Sequence, residues 1–256
     1  MAFVRFSRRR LGGAFALAAL LGLLGGRAAF ADRLAIWQIV HQTCAPAGEK
    51  GAPLPKPCLS VDLSKGEAVI KDYKGVAQLL EIPTARVTGI EDPQVLAPEA
   101  PPYFADAWRA REKMKLFLLS PPPREALVIT VNSSWSRGQD QLHLHVDCIR
   151  ADVAQTLAAY ALHFDSQWRP MTDALNGRKY WARRVDSADL AGVDPFRLLA
   201  DEMPDAKGAM GTWSLAAAPL LFDSRPGFVL LADQFGLETG GHAEDLQDHD
   251  CALAKR

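Results

Sequence analysis

The chain has 256 residues, 29 of them basic and 30 acidic, and 48% of its residues are hydrophobic. A chain of this length buries roughly 70–75% of its unfolded surface and needs neither disulfides nor metals merely to hold a core. Near-balanced charge and ordinary apolar content exclude a disordered chain, a collagen-like repeat and a basic protein that coats nucleic acid.

The charge is unevenly spread. Residues 1–31 carry Arg5, Arg8, Arg9, Arg10 and Arg27 and no acidic residue, which leaves residues 32–256 with a net charge of −6. After the arginine cluster comes an apolar run of about fifteen residues, Leu11 to Gly25, and then Ala29-Phe30-Ala31, a small-x-small cleavage pattern. Ser7-Arg8-Arg9-Arg10-Leu11 fits a twin-arginine signal. The run falls short of the roughly 20 residues that span a bilayer comfortably, so a cleaved signal peptide is favoured over a retained anchor. Residues 32–256 are expected as one exported domain, working in the periplasm or at the periplasmic face of the inner membrane.

Asp32 to Thr43 reads as an amphipathic helix, with Leu34, Ile36, Trp37, Ile39 and Val40 at helical spacing. Strands are predicted over 59–63, 67–72 and 76–82, separated by Lys65-Gly66 and Lys74-Gly75 turns. A proline-rich loop leads to a helix from Tyr103 to Leu118, stopped by Pro121-Pro122-Pro123. Ala126–Val131 and Gln141–Ile149 are predicted strands around a polar loop, Asn132 to Asp140, and Asp152 is placed to cap a helix ending at Tyr160. Further strands are expected over 179–185, 212–217 and 227–231, with helices over 195–203 and 243–254. The order predicts an α+β domain: an antiparallel sheet with flanking helices and a C-terminal elaboration.

The four cysteines, Cys44, Cys58, Cys148 and Cys251, all follow residue 31. In an exported chain they predict two structural disulfides in one of three connectivities. Cys44 and Cys58 flank a Pro/Gly-rich stretch that has little means of ordering itself; closing a loop of about fifteen residues is worth roughly 3 kcal/mol. Cys148–Cys251 would then pin the C-terminal helix to a central strand.

The chemistry concentrates in residues 132–148. In a strand side chains alternate, so Gln141, His143, His145 and Asp147 share one face and Leu142, Leu144, Val146 and Cys148 the other. Two imidazoles beside a polar Gly-containing loop suit a phosphate, because imidazole is a nucleophile when neutral and a cationic donor when protonated. The same His-x-His also suits zinc, with a third ligand from His41, His163, His242, His249 or a carboxylate. An exported nucleotide- or lipid-binding protein without catalysis is the third reading.

This strand–loop–strand with His143-Leu144-His145 resembles the histidine-triad superfamily. Ile82-Pro83-Thr84, Thr88-Gly89-Ile90-Glu91, Ala107-Trp108-Arg109-Ala110-Arg111, Gln139 to Arg150, Ala182-Arg183-Arg184-Val185, Pro195-Phe196 and Gln247-Asp248-His249-Asp250-Cys251 together resemble, more specifically, the bacterial CDP-diacylglycerol pyrophosphatase family. The resemblance implies a histidine-triad-like fold that hydrolyses CDP-diacylglycerol to CMP and phosphatidate at a membrane surface. It implies His143 as nucleophile on the cytidylyl phosphorus and His145 as donor to the non-bridging oxygens. Gln141 stands where the superfamily has its first histidine and still offers its backbone carbonyl to the nucleophile. Asn132, Ser136, Arg137 and Gln139 are implied as phosphate-binding residues, with Ser133 and Ser134 as further hydroxyls. Arg183 or Arg184 is a further phosphate candidate, and His249 is expected to buttress beside Cys251. The first step calls for no metal and no cofactor, the partners are the liponucleotide and the membrane rather than nucleic acid, and a homodimer is an arrangement the superfamily allows.

Overall fold

The computed structural model describes Met1, residues 32–236 and residues 240–254. The signal segment expected over residues 1–31 thus lies outside the described residues, Met1 apart. Alternating and continuous apolar runs form strands β1 (Cys58–Asp62), β2 (Glu67–Lys71), β3 (Leu79–Pro83), β4 (Leu127–Val131), β5 (Leu144–Cys148), β6 (Arg169–Pro170), β7 (Trp181–Val185), β8 (Trp213–Phe222) and β9 (Arg225–Gln234). They join one antiparallel sheet in the order β1-β2-β3-β5-β4-β8-β9-β7-β6. The α+β expectation holds.

β8 and β9 run well past the expected strands of 212–217 and 227–231, across Pro219 and Pro226. β4 pairs with β8 only over Leu215–Ala217, so the ring of Pro219 interrupts no ladder on that side. Asp223 and Ser224, both at positive φ (49° and 64°), make the tight turn that joins the two strands.

One face of the sheet packs on helices α3 (Tyr103–Ala110) and α5 (Pro195–Glu202), burying Leu79, Leu127, Ile129, Val131, Leu144, Val146 and Leu215 under Phe104, Trp108, Phe196 and Leu199. The other face is divided. At one end Ile36, Val40 and Cys44 cover Ala68, Ile70, Leu80 and Ile82. At the other, helix α4 (Ala151–Ala159) lays Val153 and Leu157 on Val128, Ala216, Val229 and Leu231. The cross-strand row Ile70, Leu80, His145, Thr130, Ala216, Leu231 crosses from one apolar cluster to the other. Its polar centre is His145 and Thr130.

Several expectations need correction. The first helix does not stop at Thr43: α1 (Ala35–Ile39), a π turn over Val40–Cys44 and α2 (Ala45–Glu49) continue into the stretch expected to lack order. Pro46 lies where the wide π turn passes back into α geometry, just after Ala45, whose N–H reaches the Val40 carbonyl five residues back. The helix begun at Tyr103 tightens to 3₁₀ geometry over Arg111–Leu116. Asp152 does not cap α4; Arg150 holds the cap position, and Asp152 sits in the first turn paired with the Arg150 guanidinium at 3.0 Å. The expected C-terminal helix is a single 3₁₀ turn, Ala243–Leu246, followed by extended chain that bridges Ile149 at Gln247.

The disulfides are Cys44–Cys58 and Cys148–Cys251. Bonds of this kind form and persist in oxidising compartments. No helix among the described residues is long and apolar enough to cross a membrane.

Candidate active site

The alternation of Gln141, His143, His145 and Asp147 is realised, but its polar face is buried rather than solvated. The strand itself starts only at Leu144; Gln141 and His143 belong to the end of the preceding loop. His143 and His145 are 7% and 5% exposed, with ring centroids 4.8 Å apart and planes at 63°.

Hydrogen bonds fix the proton on each ring. Nδ1 of His143 lies 2.6 Å from the backbone carbonyl of Gln141, which only accepts. Nδ1 therefore carries the proton and Nε2 keeps its lone pair. Burial lowers the His143 pKa, partly countered by the carbonyl and by the negative charges of Glu244 and Asp72, so the neutral ring is favoured.

For His145 the assignment runs through two amides and begins at a carbonyl. Gln247 Nε2 donates to the backbone oxygen of His145 at 3.4 Å and to Thr130 Oγ1 at 3.1 Å, leaving Gln247 Oε1 as an acceptor. Gln78 Nε2 donates to that oxygen at 2.9 Å and to Nδ1 of His145 at 3.0 Å. An imidazole that accepts at Nδ1 carries its proton on Nε2, and this buried nitrogen has no partner among the described residues. Desolvation pushes the His145 pKa down to about 3, so it is a neutral donor at physiological pH. A lone pair and an N–H are thereby presented side by side.

The C-terminal segment closes the cluster. Glu244 takes a hydrogen bond from Asn132 Nδ2 at 3.1 Å and returns one from its backbone N–H to Asn132 Oδ1 at 3.1 Å. Its other oxygen accepts from Lys74 Nζ at 3.1 Å and lies 3.7 Å from Nδ1 of His145. Burial opposes ionisation of Glu244, but the surrounding imidazoles and Lys74 hold its pKa below the usual range. Since His145 is neutral, Lys74 is the cation that sustains this charge near pH 7. His249 Nδ1 bonds Asp147 at 2.8 Å, which raises the His249 pKa and makes it the buttress expected beside Cys251. An open depression of about 830 Å³, bordered by Gln247, His249, Gly75 and Arg150, adjoins this end of the cluster.

Asn132, His143 and His145 are thus brought together, whereas the other expected phosphate contacts have partners within the protein. Arg137 is buried in a fork on Glu91, at 2.6 and 2.7 Å, with Asp140 at 3.2 Å. Gln139 Oε1 accepts from Ile36 N–H at 3.1 Å and caps the first helix. The Gln141 side chain staples the turn after β3, donating to Pro83 and Ala85 carbonyls and accepting from Arg86 and the Val87 N–H. Ser133 donates to Ser136, Ser136 to the Gly240 carbonyl and Ser134 to the Gly211 carbonyl. Arg183 pairs with Glu202 and Arg184 with Asp186. The loop is a braced scaffold that carries Asn132 and His143. Its close packing shows at Gly89, where a Cβ would lie 2.5 Å from the Arg137 guanidinium.

Sequence reasoning missed Gln78, Lys74, Glu244 and Gln247. Gln78 had a signal, an amide in a strand candidate whose one other polar residue is Glu81; the remaining three meet His145 only through the fold. Of the third zinc ligands considered, none joins His143 and His145 in a close three-ligand group among the described residues; the one such group, Asp147 with Cys148 and Cys251, has its sulfurs in a disulfide.

Comparison with known proteins places the chain in a family. The family model described as CDP-diacylglycerol pyrophosphatase matches residues 31–255. The CDP-diacylglycerol pyrophosphatase of Yersinia pestis is 41% identical over 226 residues, covering 88% of this chain and 86% of the relative. The chain belongs to the CDP-diacylglycerol pyrophosphatase family of hydrolases.

Proposed function

We propose that the protein hydrolyses CDP-diacylglycerol to CMP and phosphatidate through a nucleotidyl-histidine at His143, in the manner of the histidine-triad superfamily. The carrying observation is the pair of opposite tautomers. Nε2 of His143 has its lone pair free, and Nε2–H of His145 has no partner. In the first step the His143 lone pair forms a bond to the cytidylyl phosphorus while the bond to the phosphatidate oxygen breaks. The ring becomes cationic, and the Gln141 carbonyl and the charges of Glu244 and Asp72 stabilise it. His145 donates to a non-bridging oxygen, where charge develops. Asn132, held by Glu244, stands beside the same phosphate. Water then attacks the phosphorus and loses a proton to solvent as the P–N bond breaks, its electron pair returning to His143 Nε2, and CMP leaves. Phosphatidate is a good leaving group, so no strong general acid is required.

Arg137, Gln139, Gln141 and Ser136 act in this scheme by bracing the loop. Residues 1–31 serve as the export signal, and the enzyme works on the periplasmic side against a membrane surface that supplies its substrate. Quenching the enzyme in alkaline denaturant with substrate labelled in the cytidylyl phosphate is expected to trap a base-stable label on His143 that acid then releases, and His143→Ala to abolish both label and turnover. Activity that chelators remove, with one zinc bound per chain, would overturn the covalent route. Tight CMP binding without turnover would overturn the enzymatic one.

A further inference from the structure

We propose that the exposed apolar and basic surface formed by the 3₁₀ segment after α3 and the β2–β3 turn docks on an anionic lipid bilayer. The inference rests on the liponucleotide reading only for its choice of a lipid partner.

The surface is built from two places far apart in sequence. Leu116 and Leu119 are 62% and 85% exposed, beside the partly exposed Phe117, and Tyr73 at the tip of the other turn is 92% exposed. Lys71 ties them together. Its ammonium bonds the carbonyls of Asp72, Lys74 and Gly75 and lies 5.4 Å from the centre of the Phe117 ring. The two turns therefore form one continuous surface.

Its charge sets it apart from the rest of the chain. Residues 32–256 are acidic overall, yet this surface presents Lys113 and Lys115, neither of which has a carboxylate partner among the described residues. Glu112, the acid of the same turn, is taken by Arg111 at 3.0 Å. Unpaired lysines beside exposed leucines and an exposed tyrosine match the headgroup layer of an anionic membrane, where cations meet phosphate and aromatic rings sit at the boundary. A polar protein partner would leave the leucines wet, and a second copy of this surface would set lysine against lysine.

The surface also reaches the active site. Lys74, next to Tyr73, is the cation on Glu244, and the neighbouring Val76 N–H bonds the His249 carbonyl. A bilayer seated here lies beside the histidine cluster, where a lipid pyrophosphate must arrive.

The test places an environment-sensitive fluorophore on the full chain at Leu119→Cys, and at Leu162→Cys as a reference exposed elsewhere; all four native cysteines are in disulfides. Vesicles of phosphatidylcholine with phosphatidylglycerol are expected to blue-shift the probe at 119 and leave the probe at 162 unchanged. Lys115→Ala is expected to lower the equilibrium constant for that shift about fivefold, with Lys115→Arg restoring it. An unshifted probe at 119 overturns the proposal, whether or not the chain sediments with the vesicles. An equal shift on phosphatidylcholine alone overturns the anionic preference, and a shift that grows with protein concentration without vesicles assigns the surface to a second copy instead. The readout needs no turnover, so failure of the chemistry and failure of the docking are told apart.

Discussion

His145 owes its usable proton to Gln78. With the Gln78 amide donating to Nδ1, the proton has no other place than Nε2. Gln78→Met keeps the volume and removes the donor, so the ring is free to take the other tautomer and present a lone pair where the proposed mechanism needs a donor. The expected loss in kcat is about 10²-fold, the scale of one lost oxyanion donor, with KM nearly unchanged. A kcat left intact would detach the tautomer from the chemistry. His143 makes a second prediction, on pH. Burial lowers its pKa below 6.5, and in the proposed mechanism only the neutral ring attacks. kcat/KM, which reports the free enzyme, should therefore rise with pH along an acid limb centred below 6.5 and be flat by neutrality. A limb centred above 6.5 would mean that the nearby carboxylates win over burial and that His143 rests as a cation.

At the level of elements, the site is a β4–β5 hairpin closed by a short C-terminal segment. Asp248 N–H bonds the Cys148 carbonyl, Arg150 N–H bonds the Leu246 carbonyl, and the Cys148–Cys251 disulfide fastens the end. Replacing Cys148 and Cys251 by serine is expected to cost about 2–5 kcal/mol of stability by urea unfolding and to lower kcat, because Glu244, Gln247 and His249 all ride on the released segment. The same change at Cys44 and Cys58, which staple the first helix to β1, should lower stability and leave kcat largely intact in the folded fraction. Equal effects on kcat would deny the segment its positioning role. This segment also marks the boundary of what the sequence made legible. The period-2 pattern of residues 141–148 announced the histidine face, because alternation is a local property of a strand. Ala243, Leu246, Gln247 and Ala254 fall at helical spacing too, but a disulfide with a sequence separation of 103 and bonds to β5 override that local preference. Arg137 shows a related limit: its buried guanidinium is forked on Glu91, a partner 46 residues away that no local pattern announces.

Across the whole molecule, buried titratable groups set how stability responds to pH, and the two site histidines act in the opposite direction from Glu81 on the other face of the sheet. On the active-site face, His143 and His145 have pKa values below that of the unfolded chain. Their contribution is complete above about pH 6.5 and is lost as pH falls toward their folded values, at up to about 1.4 kcal/mol per pH unit for each. On the helical face, burial raises Glu81 well above its ordinary value, with Glu67 adding repulsion and Arg109 a partial offset. One Glu81 oxygen is buried without a partner, as is one of Asp106 on the helix above. Here the sign reverses: the fold is undisturbed by Glu81 below about pH 4.5, and its cost grows as pH rises toward the folded value. Glu81→Gln should therefore stabilise the protein by roughly 1–3 kcal/mol near neutral pH, because it removes a proton-uptake cost of up to about 1.4 kcal/mol per pH unit above about pH 4.5, and make little difference near pH 4. Thermal unfolding of both proteins across that range measures it. A destabilisation that is the same at every pH would show instead that the Glu81 carboxyl makes a bond the glutamine cannot replace.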